Sequence, residues 1–145
     1  AKISVLSNGT QVQKPSVFDA LLKVDNNILK LDTVNEAYIA RVNRPSSHYR
    51  VAKQIEAFKR FNGQLIIQTM FLKGYDLSGQ SVDNTTDEYV LPWLAAIKEI
   101  APREVMVYTI DRETPDSSLQ KASRQELDRI GQLVRQQNVA VQISY

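Results

Sequence analysis

The sequence predicts an α/β fold, a single domain over residues 1–145 built from βα repeats around a parallel sheet. Short apolar runs that suit buried strands alternate with segments whose apolar residues recur at helical spacing. Successive strands are separated by roughly a dozen residues or more, as right-handed crossovers between parallel strands require. An open doubly wound sheet and a slice of a barrel both fit this alternation.

The first three elements are short. A strand is predicted from Ile3 to Leu6, because branched apolar residues there run into a polar turn sequence. Pro15 opens a helix to about Val24, since proline is tolerated in a first helical turn. A second strand follows from Ile28 to Leu31.

The middle of the chain is predicted to be helical and then extended. A helical piece covers residues 34–42, and Pro45 interrupts it by restricting the residue before it. The next helix extends from about His48 to Phe61 and ends at an Asn-Gly pair. Residues 64–71 form the third strand, whose apolar run suggests burial on both faces.

Polar segments separate the remaining elements. Residues 73–86 are predicted to form a lid or binding loop, because so long a polar stretch is unusual in a small domain. A helix to about Ile100 and a strand over residues 104–110 follow, and residues 111–121 form a second polar loop.

The last helix has a clear start. Ser123 and Glu126 have the spacing of a capping box, in which each satisfies the other's backbone amide. The helix extends to about Gln137, and residues 139–144 form the final strand.

The composition excludes several kinds of site. The chain has no cysteine and one histidine, His48, so disulfides, thiolate metal sites and cysteine nucleophiles are excluded and a zinc site is not expected. No glycine-rich phosphate-binding motif and no nucleophile elbow follows a strand. No apolar stretch suits a membrane span, and a formal net charge of +2 predicts no general affinity for polyanions. The cytoplasm is the expected location.

Polar residues follow each predicted strand, where ligands bind in parallel α/β folds. The candidates are Asn8, Asp32, Gln68, Tyr108, Asp111 and Arg112.

Four of the candidates have a structural alternative. Asn8 lies in a good turn sequence, and Asp32 could cap the following helix. Asp111 and Arg112 could form a surface ion pair. Gln68 is expected to line a polar pocket, because a buried amide needs partners. His48 is expected to start a helix rather than to act as a catalyst.

Four segments resemble strands of the radical S-adenosylmethionine (SAM) superfamily. Residues 2–10, ending in Ser-Asn-Gly-Thr, resemble its third barrel strand, and residues 27–32 resemble its fourth. Residues 65–74 are similar to the fifth strand. Residues 104–115, with the segment Tyr-Thr-Ile-Asp-Arg, resemble the sixth strand of a subgroup related to wyosine-forming tRNA-modifying synthetases.

The resemblance implies the carboxyl-terminal portion of a partial (β/α)6 TIM-like barrel. The superfamily's C-x3-C-x2-C loop is absent, so the cluster-binding segment is expected upstream of Ala1, in a longer parent chain. That parent would be an oxidoreductase or modifying enzyme that uses SAM and a [4Fe–4S] cluster. The present chain alone would bind neither and would be inactive.

By position, the resemblance also assigns roles to the candidate residues. Those that would contact SAM, whose ribose hydroxyls suit carboxylate and amide groups, are Asn8, Asp32 and Gln68. Those that would face substrate are Tyr108, Asp111 and Arg112. Weaker candidates are Lys30 and Lys73, and no catalytic residue or metal ligand is identified.

The implied partners are the missing amino-terminal barrel segment and a tRNA or small-molecule substrate, with no membrane. A truncated barrel would expose the edge of its first strand, so it should form homo-oligomers there or bind a hydrophobic dye. Two alternatives stay open. One is a complete, monomeric α/β ligand-binding module with its ligand under residues 73–86; the other is a protein-interaction module whose partner chain replaces the missing barrel half.

Overall fold

Five parallel strands form one sheet in the computed structural model, which describes residues 2–7, 12, 14–42, 51–76, 78–110 and 119–145. In chain order the elements are β1 (Ser4–Ser7), α1 (Pro15–Leu22), β2 (Asn26–Lys30), α2 (Glu36–Val42), α3 (Val51–Lys59), β3 (Ile66–Met70), β4 (Leu72–Gly74), α4 (Asp87–Ile100), β5 (Glu104–Tyr108), β6 (Leu119–Lys121), α5 (Arg124–Arg135) and β7 (Ala140–Ser144). The sheet order is β1-β2-β3-β5-β7, and each neighbouring pair is parallel. The predicted fold class is confirmed.

The strands lie side by side in the order in which the chain makes them. Right-handed crossovers between strands in this order place the helices on the same face, as in a barrel, whereas a doubly wound sheet reverses direction at a switch point. Buried residues of α1, α3, α4 and α5 accordingly share one apolar cluster with alternate strand residues such as Leu29, Ile67 and Val105. We call this helix-covered side the outer face and the opposite side the inner face.

Trp93 of α4 joins this core to the strands by hydrogen bonds. Its side chain is fully buried, and its Nε1–H donates to the carbonyl oxygen of Leu31 at 3.2 Å and to Oγ1 of Thr69 at 3.1 Å. The Thr69 hydroxyl in turn donates to the Leu31 carbonyl at 2.8 Å. The indole also packs edge-on against Phe71, with ring centroids 5.2 Å apart. Each buried polar atom of this group therefore has a partner.

A two-stranded antiparallel ribbon lies, apart from Leu72, within the segments predicted as polar loops. Strands β4 and β6 pair with Leu72 opposite Lys121. The sequence did not predict this ribbon, because strands of three residues have too little pattern to be recognised and their pairing is distant in the chain.

Residues 73–86, predicted to form a lid or binding loop, are partly packed, and their role in ligand binding stays a prediction. Val82, Asn84 and Thr85 are buried, and Val82 forms a second apolar cluster with Leu72 and with Tyr38 of α2. This half of the segment is therefore packed structure rather than a loose cover.

Local signals set the helix ends as predicted, within a few residues. The residues after α3 include Asn62 and Gly63, whose φ angles of 51° and 85° lie in the left-handed region that ends helices. The capping box of α5 is present: Ser123 Oγ accepts from the Glu126 amide at 3.1 Å, and Glu126 Oε1 accepts from the Ser123 amide at 2.8 Å. Within the described ranges, no helix combines the length and apolarity that crossing a membrane requires.

Candidate functional site

The inner face presents side chains in rows that the strand register aligns. Gln68 alternates along β3 with Ile67 and Thr69, which are buried on the outer face, so Gln68 belongs to the inner face. The register places in one row Lys30, Gln68 and Met106. The next row toward the carboxyl ends contains Asp32, Met70 and Tyr108. Neighbouring strands are about 4.8 Å apart, so the ends of each row are about 10 Å apart.

Asp32 lies just beyond β2 and is held by a strand amide. Its Oδ1 accepts a hydrogen bond from the Met70 amide at 2.9 Å, and no other bond to its carboxylate is seen among the described residues. Burial raises the pKa of the Asp32 carboxyl, while the Met70 bond and the positive charge of Lys30 act in the opposite direction. Among the described residues, the Oδ2 oxygen therefore has no hydrogen-bond donor.

The alternative role of Asp32 as a helix cap is wrong. Asn35 caps α2 instead, because its Oδ1 accepts from the Tyr38 amide at 2.9 Å. The Asn35 amide donates to Oγ1 of Thr33 at 3.2 Å, which completes the turn. The cap was missed because Asp32, Thr33 and Asn35 all have side chains suited to it.

The other candidates have different outcomes. Gln68 and Tyr108 are half-buried on the inner face. Within the described ranges, the side-chain amide of Gln68 makes no hydrogen bond. Gln68 is thus less enclosed than its apolar neighbours suggested, and its place in a ligand pocket stays a prediction. The predicted residues that lie outside the described ranges are Asn8, His48, Asp111 and Arg112.

Lys73 belongs to an ion-pair network around Glu126 rather than to the rows. Glu126 Oε1 lies 3.0 Å from Lys73 Nζ, and Oε2 accepts from the Thr85 hydroxyl at 3.0 Å. Burial alone would raise the pKa of Glu126. Hydrogen bonds from the Ser123 amide, Lys73, the Ser123 hydroxyl and Thr85 outweigh burial and lower it to about 2.

Asn84 is a buried polar residue that the sequence did not single out. Its Nδ2 donates to the carbonyl oxygens of Asp32 at 3.2 Å and Met70 at 3.0 Å, and its Oδ1 accepts from the Leu72 amide at 3.0 Å. One side chain therefore links the carboxyl ends of β2 and β3 to the start of β4. Its polar surroundings in the sequence concealed it, because they predict an exposed loop.

The candidate rows carry groups that suit an organic ligand. The chain has no cysteine, so it cannot supply thiolates to an iron–sulfur cluster. The described part of the chain contains no group of three or more histidine, aspartate or glutamate side chains that could hold a metal ion. The rows offer a carboxylate, an amide and an ammonium group, which can bind the hydroxyl, amine and carboxylate groups of an organic ligand.

Comparison with solved structures finds close likenesses in fold. The chain resembles a radical SAM methyltransferase from Sphaerobacter thermophilus with a TM-score of 0.72 and 17% identity, over 99% of this chain and 40% of the other. It resembles a domain of pyruvate-formate lyase-activating enzyme from Bacteroides vulgatus with a TM-score of 0.73 and 10% identity, over 98% and 80% of the two chains. Streptococcus suis SuiB, solved with its precursor peptide SuiA, gives a TM-score of 0.65 and 18% identity, over 99% and 32%.

The likeness covers nearly all of this chain but less than half of two of the solved chains. No protein-family model matches, and a comparison with curated proteins finds no significant match. A relation to the wyosine-forming subgroup therefore stays a prediction. At these identities the likeness shows the fold: the chain shares the βα-repeat, parallel-sheet architecture of these solved structures.

Proposed function

We propose that this chain is part of a radical SAM enzyme and supplies the barrel wall against which SAM and substrate bind. The observation that carries the proposal is the inner face, where Lys30, Asp32, Gln68 and Tyr108 occupy adjacent rows near the carboxyl ends of three strands. In a barrel the helices lie outside and the opposite sheet face lines the interior, so these side chains would point toward bound ligands.

The proposed contribution of each residue follows from its chemistry. Asp32 holds a ribose hydroxyl through Oδ2 while Oδ1 stays on the Met70 amide. Gln68 lies one row farther from the carboxyl ends and offers a donor and an acceptor to the same ligand. Tyr108, two strands from Asp32, faces the substrate. SAM bound to a reduced [4Fe–4S] cluster would supply the radical chemistry, with the cluster held by cysteines outside this chain.

The first strand supports the proposal of a partner segment. β1 is an edge of the sheet, and its residue Leu6 is 55% exposed, while the preceding Ile3 is 60% exposed. Exposed apolar residues on an unpaired edge favour pairing with another strand. In the proposed enzyme that strand belongs to the amino-terminal barrel segment, and in the isolated chain a second copy would take its place.

SAM binding by the full-length parent tests the role of Asp32. Asp32→Ala should raise the SAM dissociation constant about tenfold or more, the scale of one lost hydrogen bond to a charged group. Isothermal titration calorimetry measures this constant. The control is Asp19→Ala, which removes an exposed carboxylate from α1 and should leave it unchanged. Unaltered affinity in Asp32→Ala would remove Asp32 from the site.

The wider proposal has a separate test. The reading frame upstream of Ala1 should encode three cysteines at the C-x3-C-x2-C spacing, and the parent should release 5′-deoxyadenosine from SAM under reducing conditions, which the isolated chain should not do. A gene whose start codon lies directly before the codon for Ala1 would overturn the proposal.

A further inference from the structure

The Asn84 side chain makes hydrogen bonds to main-chain groups of the kind that a neighbouring strand would supply. This side chain is completely buried. Both hydrogens of the amide are donated to carbonyl oxygens, on Asp32 and Met70, and the amide oxygen accepts from Leu72. The Asn84 main-chain amide adds a bond to the Leu72 carbonyl at 3.3 Å. These bonds satisfy strand-end groups that would otherwise lack partners in the interior.

The contacts of Asn84 converge on the Asp32 carboxylate. The amide that holds Asp32 Oδ1 belongs to Met70, and the carbonyl oxygen of that same residue accepts from Asn84. Asn84 also holds the Asp32 carbonyl. It therefore fixes both the residue that carries the carboxylate and the residue that anchors it.

The main chain around Asn84 is fastened on both sides. Two residues before it, the Val82 carbonyl accepts from the Tyr38 hydroxyl at 2.7 Å. One residue after it, the Thr85 carbonyl accepts from Arg129 Nη2 at 2.7 Å. These anchors come from α2 and α5, so the position of the Asn84 side chain is set by packed elements rather than by a loop.

We infer that Asn84 is a positioning residue, which holds the Asp32 carboxylate with Oδ1 on the Met70 amide and Oδ2 directed to a hydroxyl-bearing ligand. The ligand and the direction of Oδ2 rest on the proposed function, whereas the bonds made by Asn84 and Met70 do not. Only a carboxamide supplies two donors and an acceptor at this distance from the main chain. An ionised aspartate has no donor, and a serine has one.

The test reads the bond between Asp32 and Met70 directly, in the isolated chain. The Met70 amide proton should move downfield as Asp32 ionises, because a hydrogen bond to a charged acceptor is stronger. Nuclear magnetic resonance spectra across a pH titration give the amplitude of this movement. Asn84→Ala should reduce the amplitude to about half or less, since it releases both residues from their anchor. Asp32→Asn should abolish it.

Asn27→Ala is the matched control. Asn27 is also a buried asparagine, 3% exposed, but it lies in the first half of β2 and donates only a long bond to the Gln64 carbonyl at 3.5 Å. This variant should keep the full amplitude. Asn84→Asp serves as the second variant, because aspartate is nearly isosteric with asparagine. It should also reduce the amplitude of the Met70 movement. A full amplitude in a folded Asn84 variant would overturn the inference.

A second measurement separates this inference from the proposed function. In the parent enzyme, Asn84→Ala should raise the SAM dissociation constant about threefold or more, but should add nothing in the Asp32→Ala background. An equal effect in both backgrounds would show that Asn84 does not act through Asp32. If the parent binds no SAM, the proposed function fails, and the Met70 amplitude still decides the inference.

Discussion

Neutralising Glu126 should destabilise the domain at neutral pH but not in acid. Glu126→Gln keeps the shape of the side chain and one acceptor oxygen for the Ser123 amide, but it removes the charge that pairs with Lys73. It also replaces Oε2 by an NH2 group, which cannot accept the bond from the Thr85 hydroxyl. The variant therefore removes both the negative charge and one acceptor oxygen from the junction of β4, α5 and residues 83–87.

The magnitude follows from the lowered pKa of Glu126. A fall in the pKa from 4.5 to about 2 corresponds to about 3 kcal/mol of stability for a group that is fully shielded from solvent. The Glu126 side chain is 27% exposed and Lys73 is 32% exposed, so solvent screening reduces the expected loss to about 1–2 kcal/mol. This contribution is present above pH 4.5 and is lost as the pH falls through the folded-state pKa of about 2.

Urea denaturation followed by circular dichroism measures the effect. At pH 7 the free energy of unfolding of Glu126→Gln should be about 1–2 kcal/mol below that of the unchanged chain, and the two should converge near pH 2. Glu88→Gln, an exposed position in the first turn of α4, should have less than half this effect. Equal stability at pH 7, or a difference that persists undiminished at pH 2, would refute the electrostatic account.

Two further changes test the core and the sheet edge. Trp93→Phe should lower the free energy of unfolding by about 1–3 kcal/mol, because the Leu31 carbonyl and the Thr69 hydroxyl lose the indole donor; urea denaturation checks this, and unchanged stability would contradict it. Leu6→Lys should reduce both the fluorescence of a bound hydrophobic dye and any self-association on size-exclusion chromatography, because it places a charge on the exposed edge strand; undiminished signals would argue against association through β1.

Features encoded by neighbouring residues could be predicted from the sequence. The capping box is one example, since Ser123 and Glu126 are three residues apart and satisfy each other locally. The stop at Asn62 and Gly63 is another. The five parallel strands could also be predicted, because each has a recognisable apolar core and alternates with helical segments.

Features that depend on distant partners could not be predicted. The pairing of Lys73 with Gln120 joins residues in segments that both looked like polar loops. The role of Asn84 depends on its contacts to the ends of β2 and β3, which are distant in the sequence. The rows of the candidate site lie between these cases. Strand direction alone places Asp32, Gln68 and Tyr108 near one end of a parallel sheet. The bond from the Met70 amide to Asp32 joins residues that are distant in the sequence, so no local pattern predicts it.

The order of the five strands has a consequence for how such a chain is made. Each strand pairs with the strand synthesised before it in the sheet, so every new βα unit can dock on material that has already left the ribosome. In the sheet that the described residues form, no strand is later inserted between two strands that have already paired. A sheet with this strand order can gain or lose a βα unit at either end without a change in the connections of the other strands. Addition of such units is therefore physically easy for this architecture.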